Sequence, residues 1–196
     1  MSDDARRSCE FLGWPADEPT LRLDYRRFSY AGKFVMTSTG KAVVRGPAHA
    51  IDDSRPDAGE YDRDVLAAVA FNEDRTDAGT LWLRYVTVRE DHRGEGIGPD
   101  LVGFVVDRAR EDGYDRARIA VNNPYSYEAL YRAGFGYTGR QTGLAELVLE
   151  NPDPAADADE PSRYREGLGA FTDREDLSAA EREFVAEKRE RGPPPR

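Results

Sequence analysis

Residues 89–101 read REDHRGEGIGPDL, with Gly94, Gly96 and Gly98 at every second position, Arg93 just ahead of them and Pro99 just behind. The segment follows an apolar run, TLWLRYVTV at 80–88, and precedes a helical pattern. No other feature constrains the fold as much. A turn needs one glycine; three at alternate positions leave the backbone bare for close approach by something else. Counting excludes the dinucleotide fingerprint G-x-G-x-x-G, because the residue three beyond Gly96 is Pro99, and no G-K-(S/T) is present to make a nucleotide P-loop. What remains is a cradle for an anion. The first N–H groups of a helix have no internal partner and the macrodipole is positive there. Glycines let phosphate oxygens reach those donors without meeting Cβ atoms. Pro99 suits the first helical turn, and Arg93 can add a charge-assisted contact.

The patterns around this segment predict a mixed α/β layer fold. VLAAVAF (65–71) and TLWLRYVTV (80–88) are strand candidates, and the turn-rich NEDRTDAG between them predicts a hairpin. Leu101, Val102, Phe104, Val105 and Ala109 recur at helical spacing and stop near Asp112-Gly113. ARIAV (117–121) is a short buried strand, SYEALYRAGF (126–135) a helix ending at Gly134, and GYTGR with LAELVLE (144–150) a closing hairpin. The order from residue 65 is β-β-α-β-α-β-β. Upstream, residues 1–18 read as a loose lead-in. LRLDYRRFSY (21–30) alternates as a strand does, KFVMTSTGKAVV (33–44) reads as two short strands about a Thr39-Gly40 turn, and residues 46–63 read as a loop.

Composition changes at Asn151-Pro152. NPDPAADADEPS is a charged linker, SAAE (178–181) matches a helix capping box, and Leu177, Ala180, Phe184 and Lys188 give the next helix a narrow apolar stripe. The expected division is a domain over 1–150, then an acidic linker and C-terminal helical extension over 151–196. Its last helix either docks on the body or stays solvated.

With 196 residues and 39% hydrophobic content, the chain can bury one core. Its net charge of -10 opposes general nucleic-acid binding, and no apolar run approaches a membrane span. No nucleic-acid or membrane partner is expected, and a homodimer is one of the oligomeric states left open. The first residues have no apolar segment of the secretory kind, so the cytoplasm is the expected compartment. Cys9 is the single cysteine, which allows neither an internal disulfide nor a cysteine metal cluster. Lys33, Lys41 and Lys188 are the only lysines. Many aspartates with so few lysines resemble proteins of salt-loving archaea; an ordinary acidic protein from a GC-rich genome has the same composition.

Val88, Arg93, Gly96 and Gly98 fit V-x-x-x-x-(Q/R)-x-x-G-x-(G/A), and in this the segment resembles the GNAT superfamily of acyl-CoA-dependent N-acyltransferases. A second block, NPYSYEALYRAGF from Asn123 to Phe135, resembles the N-P-x-A…G-F segment of that family's fourth helix. The resemblance covers residues 65–150. It implies a GNAT-like mixed central sheet flanked by helices, with acetyl-CoA as cofactor. In such enzymes the fourth and fifth strands splay apart and the acyl-pantetheine arm lies between them. The backbone of Val86, Thr87 and Val88 would pair with that arm, and the amides of Arg93, Gly94, Glu95, Gly96, Ile97 and Gly98 would hold the pyrophosphate. Asn123 matches a cofactor-bonding position, with the alternative of a turn residue before Pro124. The implied reaction is direct acetyl transfer to an amine, either a small amine or amino-acid derivative or a peptide amino group.

Two departures bear on catalysis. The family's usual tyrosine, the acid for the leaving thiolate, lies four residues before the glycine of G-F. Leu130 stands there, and Tyr131 sits one residue later, about 100° further round the helix. Tyr131 is the candidate acid, with Tyr127 and Tyr125 behind it and a packing role as the alternative for all three. The strand at 80–88 has no carboxylate to act as base. Glu73, Asp74 and Glu90 are near in sequence, and a water chain would also serve. His92 and His49 read as surface residues, and Arg84 as the partner of an aspartate or of an acidic acceptor. These departures leave a non-catalytic acyl-CoA-binding regulatory module as the rival reading. Residues 30–64 lack the two helices that usually line the acceptor site.

Overall fold

A computed structural model describes residues 7–46, 58–155 and 160–195; His49 and most of the loop expected at 46–63 lie outside them. Seven strands form one sheet. In chain order they are β1 (Ser8–Gly13), β2 (Gly40–Arg45), β3 (Val65–Glu73), β4 (Thr80–Val88), β5 (Arg116–Val121), β6 (Gly136–Gln141) and β7 (Leu147–Asn151). Their order across the sheet is β1-β2-β3-β4-β5-β7-β6. Only β4 and β5 run parallel, and the crossover between them is helix α1 (Ile97–Glu111). Helix α2 (Pro124–Arg132) joins β5 to β6, and α3 (Glu160–Thr172) and α4 (Ala179–Arg191) close the chain. From β3 onward this is the expected β-β-α-β-α-β-β order.

The two faces of the sheet are covered differently. β3 is apolar from Val65 to Phe71 because both its faces are buried there. Ala67, Val69 and Phe71 join a large cluster with α1, while Val65, Ala68 and Ala70 join a smaller one on the opposite face. Helix α1 covers the first face with Ile97, Leu101, Val102, Val105, Val106 and Ala109, a single stripe at helical spacing. Leu21, Leu23, Phe28, Ala31 and Phe34 cover the second.

Three expectations upstream of residue 65 are corrected. Residues 21–30 are not a strand. Leu21 and Leu23 do point into the sheet, but the Asp24 side chain accepts from the Arg26 N–H at 3.0 Å and the Asp24 carbonyl from Arg27 and Phe28, so local bonds replace a ladder. Tyr25, placed with the leucines by alternation, is 70% exposed. The lead-in does contain a strand: β1 pairs antiparallel with β2 at the sheet edge, and Phe11 packs on Trp14 and Phe71. Residues 33–44 hold one strand, not two, because the chain before Gly40 is gathered around a buried cation. The Lys41 ammonium, fully buried, donates to the carbonyls of Pro19 (2.6 Å), Met36 (2.6 Å) and Thr39 (2.9 Å). Burial pulls its pKa down, but these oxygens replace its water.

The extension also packs on the sheet. Ser178 and Glu181 form the expected capping box at the start of α4, with Ser178 N–H donating to Glu181 at 2.9 Å. Helix α3, unforeseen within a linker-like composition, places Tyr164, Leu168 and Phe171 in the same cluster as α1 and β3, as α4 does Val185. Tyr127 and Tyr131 of α2 face these side chains.

Lys41→Met should lower the stability to unfolding by about 2 kcal/mol, since it strands carbonyls that have no water to turn to. Denaturant titration reads this, and unchanged stability would contradict the clasp.

Candidate functional site

The parallel ladder between β4 and β5 covers only Thr80–Leu83 against Arg116–Ile119, although β4 runs on to Val88 and β5 to Val121. Beyond Leu83 the two strands part. The same place carries an irregularity on the other side of β4: Ala70 pairs with Tyr85 and Phe71 with Leu83, so Arg84 is an extra residue, a β-bulge. The bulge re-aims the side chains. Leu81 and Leu83 before it, and Val86 and Val88 after it, all face the α1 layer. Arg84 and Tyr85, neighbours in sequence, both line the opposite side.

Main-chain direction follows from one bond. Arg89 N–H donates to the Leu66 carbonyl across β3 at 2.8 Å. Alternation along an extended strand then turns Thr87 toward β3 and Val88 and Val86 toward β5, into the gap. Val86 and Val88 therefore present unladdered N–H and C=O groups there, whereas the Thr87 backbone belongs to the sheet.

At the end of β4 the chain makes a 3-10 turn, Glu90–His92, and enters the glycine segment. Gly94 (φ 83°) and Gly96 (φ 80°) are both left-handed, and a Cβ on either would meet nothing within 4 Å. Their bareness serves backbone geometry and leaves open space in front of it. Gly98 differs, since a Cβ there would lie 3.2 Å from Val88, so it sets α1 close against the strand. Gly96 is the N-cap of α1 with no side-chain cap, so the first helical N–H groups have no side-chain partner. Ile97 is core through its side chain and offers only its amide.

A polar chain braces this turn. Buried Arg89 donates to Asp91 at 2.7 Å and to His92 Nε2 at 2.7 Å. A guanidinium only donates, so Nε2 accepts and the proton sits on Nδ1, which donates to Glu95 at 3.1 Å. Arg7 also pairs with Glu95. The Arg7 bond, with His92 behind it, holds the Glu95 carboxyl below its usual range, and its charge is compensated beside the cradle. His92 is thus a brace, not a free surface residue. The Arg93 guanidinium reaches Ser29 at 3.2 Å.

Asn123 is the N-cap of α2. Its Oδ1 accepts from Ser126 N–H at 2.8 Å, and its amide nitrogen donates to Asn122 at 3.2 Å. The turn role given as its alternative is present. Tyr131 is 3% exposed, its hydroxyl bonds Glu160 of α3, and its ring meets Tyr164 edge-on at 4.6 Å. Tyr127 is buried too, its hydroxyl on the Tyr164 carbonyl at 3.1 Å, and burial pushes its pKa well up. Tyr125 stacks on Phe184 of α4 at 4.7 Å. All three tyrosines considered as acids thus pack the extension onto α2, which is a physical reason against an acid role for each.

On the face opposite α1, at the bulge, lies a cleft of about 460 Å³. Lys33, Asn72, Asp74, Arg75, Trp82, Arg84 and Tyr85 are among the residues that line it. Arg84 feels the charge of Asp74 but makes no bond to it; its Nε donates to Asn72 at 2.7 Å and its guanidinium lies over Trp82 at 4.9 Å. Asp74 accepts from Thr76 and, at 3.1 Å, from Arg118, and these bonds hold its pKa down, which makes it a poor base. Glu73 and Glu90 are exposed. Two β4 residues carry signals that residue type alone did not show. Arg84 gains its place from the bulge. Thr87 is 4% exposed, and its hydroxyl is the one buried side-chain polar atom without a partner among the described residues. Among those residues no group of His, Cys, Asp and Glu could hold a metal, and no helix is long and apolar enough to cross a membrane.

Residues 7–137 match the profile of the acetyltransferase (GNAT) family, whose acyl donor is acetyl-CoA. The rat (Rattus norvegicus) N-acetyltransferase family 8 member 2 is 36% identical over 77 residues, which are 38% of this chain and 34% of that protein. The chain thus spans about a third of the length of that curated relative. Among solved structures, nourseothricin acetyltransferase matches at 24% identity and TM-score 0.44, over 57% of this chain and 64% of that one. A Bacillus subtilis acetyltransferase in complex with CoA matches at 13% identity and TM-score 0.48, over 74% and 97%. The profile match covers well over half the chain, from β1 into β6, and takes in both the parted strands and the glycine mouth. The chain belongs to the acetyltransferase (GNAT) family.

Proposed function

We propose that the protein is an N-acetyltransferase that moves the acetyl group of acetyl-CoA to the amine of a small molecule or amino-acid derivative. The observation that carries this reading is the parting of β4 from β5 beside a helix mouth cleared of side chains. The residues present fit the cofactor. An extended arm entering the gap would find main-chain donors and acceptors at Val86 and Val88, as an added strand does. The amides of Gly94 through Gly98 and the positive end of α1 would hold a pyrophosphate. Arg93 stands at the entrance. The second amide hydrogen of Asn123 is a donor left over from capping.

Acetyl-CoA would supply a thioester: the amine nitrogen would bond its carbonyl carbon as the C–S bond breaks and sulfur leaves with the electron pair. Gap-facing N–H groups of Val86 and Val88 are suited to stabilise charge on the carbonyl oxygen. The amine must first lose a proton; among the described residues β4 offers no carboxylate to take it, so water would carry it. Water also protonates the thiolate, because the Tyr131 hydroxyl is bonded to Glu160. The cleft has the size of a small-molecule site and opens at the point where the strands part, which favours a small acceptor over a peptide. Thr87 lies on the cleft side of β4, opposite Ala68, with a buried hydroxyl that has no partner among the described residues.

The alternative is a regulatory module that binds acyl-CoA without turning it over, and the same commitment of Tyr131 favours it. Release of free thiol from acetyl-CoA in the presence of an amine panel separates the two. The enzyme reading expects release with at least one amine. Binding of acetyl-CoA without release for any amine or peptide supports the module.

Two substitutions test the parts. Gly96→Val places a β-branched residue at φ 80°, so coenzyme A affinity should fall more than tenfold while circular dichroism stays unchanged. Unchanged affinity refutes the cradle. Thr87→Val removes a buried hydroxyl without a partner, so stability to unfolding should rise by about 1 kcal/mol in denaturant titration. A loss of stability would show that the hydroxyl serves the fold.

A further inference from the structure

The cleft beside the bulge has a charge opposite to that of the chain. The protein carries -10 overall, yet the cleft gathers Lys33, Arg75 and Arg84 against Asp74 alone. Asp74 is already spent on Arg118, which also pairs with Glu150 at 2.6 Å. Among the described residues none of the three lining cations has a carboxylate within ion-pair distance, and Asp74 acts on Arg84 only as a longer-range attraction. Arg84 is the most constrained of them. Its Nε is fixed by the neutral Asn72 oxygen and its plane rests on Trp82, so the outer nitrogens of the fork are held in place with no carboxylate bonded to them among the described residues. Burial disfavours its charge there. A held, partly desolvated guanidinium with no carboxylate at ion-pair distance is a recognition group in want of a ligand.

We propose that this cleft recognises an acceptor amine that also carries a carboxylate, and that Arg84 binds that carboxylate while Lys33 and Arg75 supply the surrounding positive field. This rests on the acetyltransferase reading for the amine but not for the anion. Arg84 sits in the bulge, where β4 and β5 part, so a carboxylate held by its outer nitrogens puts the rest of the acceptor next to the gap-facing backbone that begins at Val86. The same arrangement disfavours acceptors with several positive charges, which would meet three cations without compensation. Because Lys33 and Arg75 are exposed, their contribution is a screened field, and binding weakens as salt is raised.

The test compares phenylalanine, leucine and methionine, each with the amine that lacks its α-carboxylate, on the full chain. Two readouts are taken. Thiol release from acetyl-CoA gives kcat/KM for each amine. Quenching of Trp82 fluorescence in a Trp14→Phe background gives affinity with no need of turnover, since Trp14 and Trp82 are the two tryptophans. At least one carboxylate-bearing amine should exceed its decarboxylated partner by about tenfold to a hundredfold, the worth of one charge-assisted hydrogen bond. Arg84→Gln should abolish that preference while leaving the KM for acetyl-CoA unchanged. Lys33→Gln with Arg75→Gln, on exposed positions that the fold does not need, should lower affinity severalfold and flatten its salt dependence. Carboxylate-selective quenching without thiol release would retain the anion site and sink the enzyme reading. Thiol release with equal or better rates for the decarboxylated amines, or a preference that survives Arg84→Gln, would overturn the anion site and leave the enzyme standing. No quenching and no preference in any of the three pairs overturns it as well.

Discussion

One extra residue in β4 governs the rest of the molecule. The bulge at Arg84 shifts the strand by one place against β3, and the ladder to β5 ends beside it. Without the shift, alternation would place Val86 and Val88 on the face that Trp82 and Arg84 share, and one of the two layers would lose its apolar contacts. With it, both halves of β4 feed the α1 layer and the strand still opens toward β5. The glycine mouth of α1 then lies at the free end of the opening, with Gly98 seated on Val88, and the cleft lies at its closed end. Backbone donors, anion cradle and acceptor cleft are therefore three consequences of how one strand is laid.

Two supports keep this arrangement in place. On the cleft side, Lys41 binds the carbonyls of Pro19, Met36 and Thr39, so a buried ammonium organises a segment that has almost no regular structure. Met36 and Thr39 are also cleft residues, so the clasp and the acceptor site share a wall. On the other side, α3 and α4 cover α2. Gly167 lies against the Tyr127 ring where no side chain would fit, and Glu128 of α2 bonds the Tyr164 hydroxyl and Arg132 (3.1 Å). The extension thus uses hydroxyls that a helix in this position could otherwise have turned toward a thiol.

The sequence was most legible where periodicity and a fixed spacing coincide. The strands at 65–73 and 80–88, α1, and the glycine segment follow from apolar pattern and from Val88, Arg93, Gly96 and Gly98 taken together. Legibility failed where side chains bond the backbone. Asp24 replaces a ladder with a turn although Leu21 and Leu23 alternate correctly, and nothing in the type of Lys41 says that three carbonyls wait for it. Helix α3 was hidden because its apolar face, Tyr164, Leu168 and Phe171, is narrow and interrupted by Arg165, Glu166 and Gly167. The register of a bulge is not written in residue types either, so Arg84 could be named but not aimed. Tyr131 shows the reverse case: the one-residue offset from the family pattern was visible, and the structure supplies its reason in Glu160 and Tyr164.

The central claim is that an acyl-CoA arm joins β4 as a strand in the gap. Residue-resolved amide hydrogen exchange, with and without acetyl-CoA, tests it directly. Val86, Val88, Ile97 and Gly98 should gain protection on binding, while Thr87, already facing β3, should not change. Binding that leaves Val86 and Val88 exchanging as before, or that protects Thr87 in their place, would contradict the account.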